Sequence, residues 1–255
     1  MNLLIPRNPM YGWIPDLPDQ RDFSYKRLAL GLPPIPEKID LRNLCSPVEN
    51  QENLGSCTAQ ALVGNLEFLK LKSLKKLINF SRLFLYYNER VISHSTDADS
   101  GASLRDGIKT LKKLGDCIED LWPYDLKKFA NKPPVIAYKN AKNYQIISYY
   151  RLHTLAEMKH TLSSGWPFVF GFAVYESFEL KKTARTGIVL MPKKDERLLG
   201  GHAVLAIGYD DSKKWFIVRN SWGKKWGDQG YFYMPYKYFA SPAFASDFWT
   251  IRGME

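Results

Sequence analysis

The sequence predicts an α+β protein, mainly helical over residues 35–150 and mainly β over 151–255, behind an N-terminal extension of residues 1–34. Three observations carry that expectation. From Ser56 the apolar residues Ala59, Leu62, Val63, Leu66 and Leu69 recur at three- and four-residue steps, the period of a helix with one face on a core. From residue 202 onward, apolar, aromatic and β-branched runs at 202–209, 215–220 and 230–234 follow one another closely, the density of an antiparallel or barrel-like sheet. With 255 residues, 45% of them apolar, the chain can bury one large core or two closely packed lobes.

Taken in order, the extension carries six prolines, at positions 6, 9, 15, 18, 33 and 34, and reads as extended chain. The stretch Gln51–Gln60 then sets a thiol, Cys57, at the start of the first helix, whose beginning is marked by Gly55 and Ser56. A cysteine there faces unpaired backbone N–H groups and the positive end of the helix dipole, which favour thiolate. On this stretch alone it is either an activated thiol or a small buried residue. Ser81 caps a second helix to Ile92, Ser100–Ser103 form a turn, and a third helix from about Leu104 to Leu114 stops at Gly115. Residues 116–150 read as a crossover between the two halves. Thr154 and Glu157 have capping-box spacing and open a short helix ending at Gly165. Pro167–Tyr175 follows as a buried strand, and after it a loop to Thr186–Leu190.

Two later runs bear on Cys57. Gly200–Tyr209 places His202 at the head of an apolar strand, and Trp215–Gly223 is a second strand ending in Asn220. An imidazole can take a proton from a thiol and later give one to a leaving group, and an amide can fix the ring tautomer.

These residues resemble the papain-like cysteine peptidases. His202 falls within, and Asn220 slightly beyond, the spacing of about 130–150 residues from the nucleophile that marks that family. Gln51 upstream of Cys57, the segment Ile35–Arg42 as the start of a mature enzyme, and Asn220–Gly223 followed by Trp226–Tyr231 extend the likeness from about Ile35 to the end. The resemblance implies a prokaryotic-type member with a two-lobe fold, a helical left lobe and an antiparallel barrel-like right lobe, and a cleft between them. It implies peptide hydrolysis through an acyl-enzyme. In this scheme Cys57 is the nucleophile, His202 the acid and base, and Asn220 the orienter of the ring, while Gln51 and the Cys57 N–H hold the oxyanion.

It also implies substrate-binding roles for four residues. Gly101 would pair with extended substrate, and Gly171 would wall the pocket for the second residue before the scissile bond and leave room for a bulky apolar or aromatic side chain. Gly201 would line the cleft, and Trp222 would shield the Asn–His hydrogen bond. The extension is too short for the family's usual globular pro-segment. It either straps across the cleft, anchored by Trp13 and Phe23 like a pro-peptide in a zymogen, or packs as an arm on the back of the domain. Two departures stand out: Leu54 replaces the first motif cysteine, and Thr58 stands where a tryptophan follows the nucleophile. The same triad would also serve acyl transfer to an amine, and a non-catalytic binding protein could keep the fold.

The resemblance implies a peptide or protein substrate as the partner, and composition weighs against other classes. The 36 basic against 26 acidic residues give a charge of +10, but the lysines come in scattered pairs that suit solvated faces, and no nucleic-acid module is evident. His94, His153, His160 and His202 are dispersed, so neither a metal nor an organic cofactor is expected. No window approaches a membrane span, and Met1–Pro6 meets proline too soon for a signal peptide. Three cysteines with no C-x-x-C pair fit a reducing compartment, the cytoplasm, and besides Cys57 only Cys45–Cys117 could pair.

Overall fold

A long strand, β4 (Leu198–Asp210), organises the computed structural model, which describes residues 11–25 and 34–254. Pro6, Pro9 and Pro33 and the Met1–Pro6 stretch fall outside the described residues. Strand β4 pairs with β1 (Lys38–Asp40), β3 (Phe168–Tyr175) and β5 (Trp215–Arg219). Beyond these, β5 pairs with β6 (Tyr231–Pro235), and β3 pairs with β7 (Ala245–Met254), which pairs with β2 (Ile146–Arg151). Every pairing is antiparallel. The order β2-β7-β3-β4-β5-β6, with β1 beside β4, leaves an open sheet. Two of its strands, β1 and β2, come from the mainly helical first half of the chain.

The apolar runs of β3, β4 and β5 are continuous because both faces of the sheet are covered. Side chains alternate across a strand. Ala203, Leu205 and Ile207 join Val169 and Ile217 in the core shared with the helices. Val204 and Ala206 join Phe168, Phe170, Phe172, Phe216 and Val218 in a second, aromatic core.

On the first face lies α1 (Cys57–Leu74), packed on β4 and against α2 (Arg82–Ile92) and α3 (Leu104–Lys113). The spacing predicted a one-faced helix. Instead, every residue from Cys57 to Lys70 is buried, because sheet and helices enclose α1 from opposite sides. Its buried Glu67 is held by Arg82 at 2.9 Å and by the Ser46 hydroxyl at 2.5 Å, as a charge in such a place requires. Ser81 caps α2 as predicted, its Oγ accepting from the Phe84 N–H, and Ser103, read from the sequence only as the end of a turn, caps α3 by accepting from the Asp106 N–H. In α5 (Leu155–Ser163) Thr154 Oγ1 accepts from the Glu157 N–H, while the Glu157 carboxylate reaches back to the N–H of His153.

Five of the strands and helices escaped the sequence reading, β1 (Lys38–Asp40) among them, in the segment read only as the start of a mature enzyme. Strand β2 and α4 (Val135–Ala141) lie in the supposed crossover, α6 (Lys181–Thr186) lies in the supposed loop, and β7 forms the C-terminal strand. In α4 only Ala137 and Ala141 are buried, too little for a periodic signal. The 13-residue β4 starts at Leu198, so His202 sits inside the strand rather than at its head.

Candidate active site

The loop before α1 is fixed by side chains distant in sequence. The Gly55 N–H donates to both carboxylate oxygens of Asp99 at 3.0 Å, and Asp99 also takes the hydroxyl hydrogen of Tyr86. Ser56 Oγ lies 2.7 Å from the Tyr124 hydroxyl, which reaches the Gln51 carbonyl at 3.0 Å. Cys57 is therefore delivered to the first position of α1 by a braced turn, and it is fully buried.

Strand β4 brings His202 to the same place, since the backbone of its neighbour Ala203 hydrogen-bonds the Cys57 sulfur. The imidazole Nε2 is 2.8 Å from Asn220 Oδ1, which fixes the ring through one nitrogen. The other nitrogen, Nδ1, is buried with no partner among the described residues. Trp222 stacks on the ring with centroids 5.0 Å apart and planes 27° from parallel, and both partners of the His–Asn bond are buried. Gln51 is held from two sides: its Nε2 donates to the Leu54 carbonyl at 2.9 Å and its Oε1 accepts from Ser221 Oγ at 2.6 Å. Ser221 thus links the Asn220 segment to the Gln51 arm, a connection that one serine in a turn could not announce.

The N-terminal segment lies across this site. Trp13 N–H donates to the Gly201 carbonyl at 3.0 Å, Ala102 N–H donates to the Gly12 carbonyl at 2.8 Å, and Ile14 N–H donates to the Ala102 carbonyl at 2.9 Å. Trp13 and Ala102 form a parallel bridge. The indole packs where a Cβ on Gly171 would overlap it, and a Cβ on Gly101 would overlap the Gly12 carbonyl. Of the eight residues singled out from the sequence, Cys57, Gly101, Gly171, Gly201, His202 and Trp222 meet this segment, while Asn220 joins them through His202 and Gln51 through Ser221. Phe23, the other expected anchor, is exposed and meets Tyr149 edge-on with centroids 5.9 Å apart.

Beyond the cleft the segment is pinned by charge. Asp16 and Asp22 face Arg151 at 3.2 and 3.0 Å, and Arg105 meets Asp22 at 2.6 Å. Arg151 also pairs with Asp247 at 2.6 Å, and the Trp249 indole N–H donates to Asp16 at 2.9 Å. Burial and the neighbouring Asp16 raise the Asp247 carboxyl to about 6. Single aspartates in a proline-rich arm gave no sequence sign of these partners.

Electrostatics of the covered site run against the expectation for Cys57. Burial pushes its thiol up to about 12, although backbone hydrogen bonds from Ala203 and Gly12 oppose the rise. Burial likewise lowers His202 to about 4, with the Asn220 bond opposing. Under the segment both groups are therefore neutral near pH 7. The helix end favours a thiolate, but removing the site from water costs more than the dipole returns.

Among the described residues no cluster of three or more His, Cys, Asp or Glu could hold a metal ion, and no helix is long and apolar enough to cross a membrane. Cys45, Cys57 and Cys117 are free, so the one possible bridge is not formed.

Residues 35–243 match the family described as papain family cysteine protease. The chain is similar to an uncharacterized peptidase C1-like protein of Acanthamoeba polyphaga mimivirus, with 43% identity over 274 residues covering 97% of this chain and 88% of that protein. Among solved structures it is similar to xylellain, a cysteine protease from Xylella fastidiosa, with a TM-score of 0.87, 41% identity and 96% of each chain covered. Mouse pro-cathepsin H is 29% identical over 217 residues, covering 79% of this chain and 61% of that protein.

Proposed function

The chain belongs to the papain family of cysteine proteases, and on that premise we propose that Cys57, His202 and Asn220 carry out its peptide hydrolysis, with residues 11–25 as a strap that keeps the cleft shut. The observation that carries this reading is the buried His202–Asn220 bond of 2.8 Å with the second ring nitrogen unpartnered, on the strand whose next residue touches the sulfur.

Once the cleft is open, water and substrate replace the strap, and the neutral thiol and imidazole exchange a proton. The thiolate attacks the scissile carbonyl, and the oxyanion is held by the Cys57 N–H and the Gln51 amide. His202 protonates the departing amine. It then takes a proton from water, which releases the acyl group from sulfur. Asn220 keeps the ring turned toward the sulfur throughout.

The strap mimics a substrate in reverse. In a substrate, the residues of the acyl side precede the scissile bond. Here Gly12 lies at the sulfur, and Trp13, which fills the pocket beside Gly171, follows it in sequence. A chain lying in that direction offers the sulfur no correctly oriented peptide carbonyl, so it occupies the cleft without being cut. The room beside Gly171 suits a bulky aromatic or apolar side chain two residues before the scissile bond. The free thiols fit work in a reducing cytoplasm, which co-fractionation with a cytosolic marker checks.

Turnover of a peptide library by the full chain and by Cys57→Ala tests the assignment. With the strap opened by Tyr11→Ala and Trp13→Ala in both, hydrolysis and covalent labelling by a peptide epoxide are expected from the chain that keeps Cys57 and not from the one that carries Cys57→Ala. Equal hydrolysis by both would sink it.

A further inference from the structure

The strap leaves a record of the subsite on the leaving-group side of the cleft, and this inference rests on the peptidase reading above. His202 must deliver its proton to the departing amine, so the side chain of the residue after the scissile bond lies beside that imidazole. Tyr11 fills this volume. Its ring centroid is 6.3 Å from His202, edge-on, and 6.3 Å from Trp222. Gly200 makes the approach possible, since a Cβ there would come within 2.6 Å of the Tyr11 Cβ. Gly12 at the sulfur separates Tyr11 from Trp13 in the acyl-side pocket.

At the far end of this volume the Tyr11 hydroxyl donates to the carboxylate of Glu179. Glu179 ends a short 3-10 turn, Glu176–Glu179, whose Phe178 packs edge-on against Trp222 with centroids 5.4 Å apart. The other carboxylates around that turn are occupied: Glu176 pairs with Arg197 at 2.8 Å, and Glu196 accepts the N–H of Ser177 at 2.5 Å. Among the described residues no ion pair engages Glu179, and the neighbouring Lys181 and Lys182 point to solvent. When the strap leaves, a carboxylate without a protein cation faces the leaving-group subsite.

We propose that Glu179 makes this subsite selective for a donor-bearing residue immediately after the scissile bond, Lys or Arg foremost and Tyr next, and against Asp and Glu. A charge-assisted hydrogen bond in a partly buried site corresponds to about a tenfold preference in kcat/KM.

The test uses the full chain carrying Tyr11→Ala and Trp13→Ala, which withdraws both strap rings while keeping the chain length. Quenched peptides that differ only after the scissile bond, with Lys, Arg, Tyr, Ala or Glu there, are compared by kcat/KM. Lys over Glu is expected by about tenfold or more. Adding Glu179→Gln should flatten the ratio, and adding Glu179→Lys should invert it. Rates for Lys and Glu within twofold of each other, or no inversion with Glu179→Lys, overturn the proposal while leaving the peptidase reading standing. If none of the peptides is cleaved, the peptidase reading fails and takes the proposal with it.

Discussion

Replacing Trp13 by alanine in the full chain should uncover the active site. The side chain is 9% exposed and packs where Gly171 and Gly201 leave room for it. Burying an indole removes roughly 150–250 Å² from water, and at about 25 cal/mol per Å² this is roughly 4–6 kcal/mol. Its Nε1 has no partner among the described residues, and stranding such a donor costs about 1–3 kcal/mol. The net anchoring is about 3 kcal/mol, so Trp13→Ala should raise the fraction of chains with an open cleft about a hundredfold. The assay is the rate of Cys57 alkylation by iodoacetamide near pH 7, with circular dichroism as a check on folding. In the covered site the thiol is neutral and shielded, so alkylation of the unaltered chain reports opening. Trp13→Phe provides the counter-test, because it keeps most of the ring and removes the stranded N–H, and its rate should stay within a few fold of the parent. A folded Trp13→Ala chain whose thiol reacts less than about threefold faster would refute the claim that this ring holds the strap.

Three further outcomes are expected. Gln51→Ala should lower turnover by about 10²–10³, and Ser221→Ala, which frees Gln51 Oε1, should lower it less, in kcat more than in KM; equal losses would disconnect Ser221 from that amide. Gly171→Val should both loosen the strap and shift the preferred acyl-side residue from aromatic to small, read by alkylation rate and by peptide profiling. The strap should also tighten on acidification. Asp247 is raised to about 6 from an ordinary 3.8 by burial and by Asp16 of the strap, so the closed state binds a proton that the open state releases. That gain is complete below about 4 and is lost as pH rises through about 6. Hydrogen-exchange protection of the Trp13 and Ile14 amides, corrected for intrinsic rates, should therefore rise between pH 7 and 5. Asp247→Asn should flatten the trend, with Arg105, Arg151 and Asp22 left in place. Protection that falls with acid would contradict the linkage.

The covered state explains how one cysteine can be both inert and poised. A helix end and two backbone N–H groups favour its thiolate, yet full burial under Gly12 and Trp13 reverses the balance. Control then needs no chemistry at the thiol itself. Under the proposed function, water entering as the strap lifts would restore the charge that attack requires.

The helices opened by Ser81 and Thr154, the helix between the Ser100–Ser103 turn and Gly115, and the strands around His202 and Asn220 were legible because they rest on local signals, side-chain caps, turn residues and apolar runs. Strand β7 and α4 were not, since their stability comes from partners far along the chain: β7 exists between β2 and β3, and α4 buries only two alanines. The sequence by itself determined which side chains are candidates for the chemistry, because thiols and imidazoles are few in it and one of each stands in a recognisable order with an amide. Tertiary structure alone decided their state. Whether Cys57 is charged, whether Asp16 meets Arg151, and which way the strap crosses the cleft depend on burial and through-space distance. Neither quantity is written in residue order.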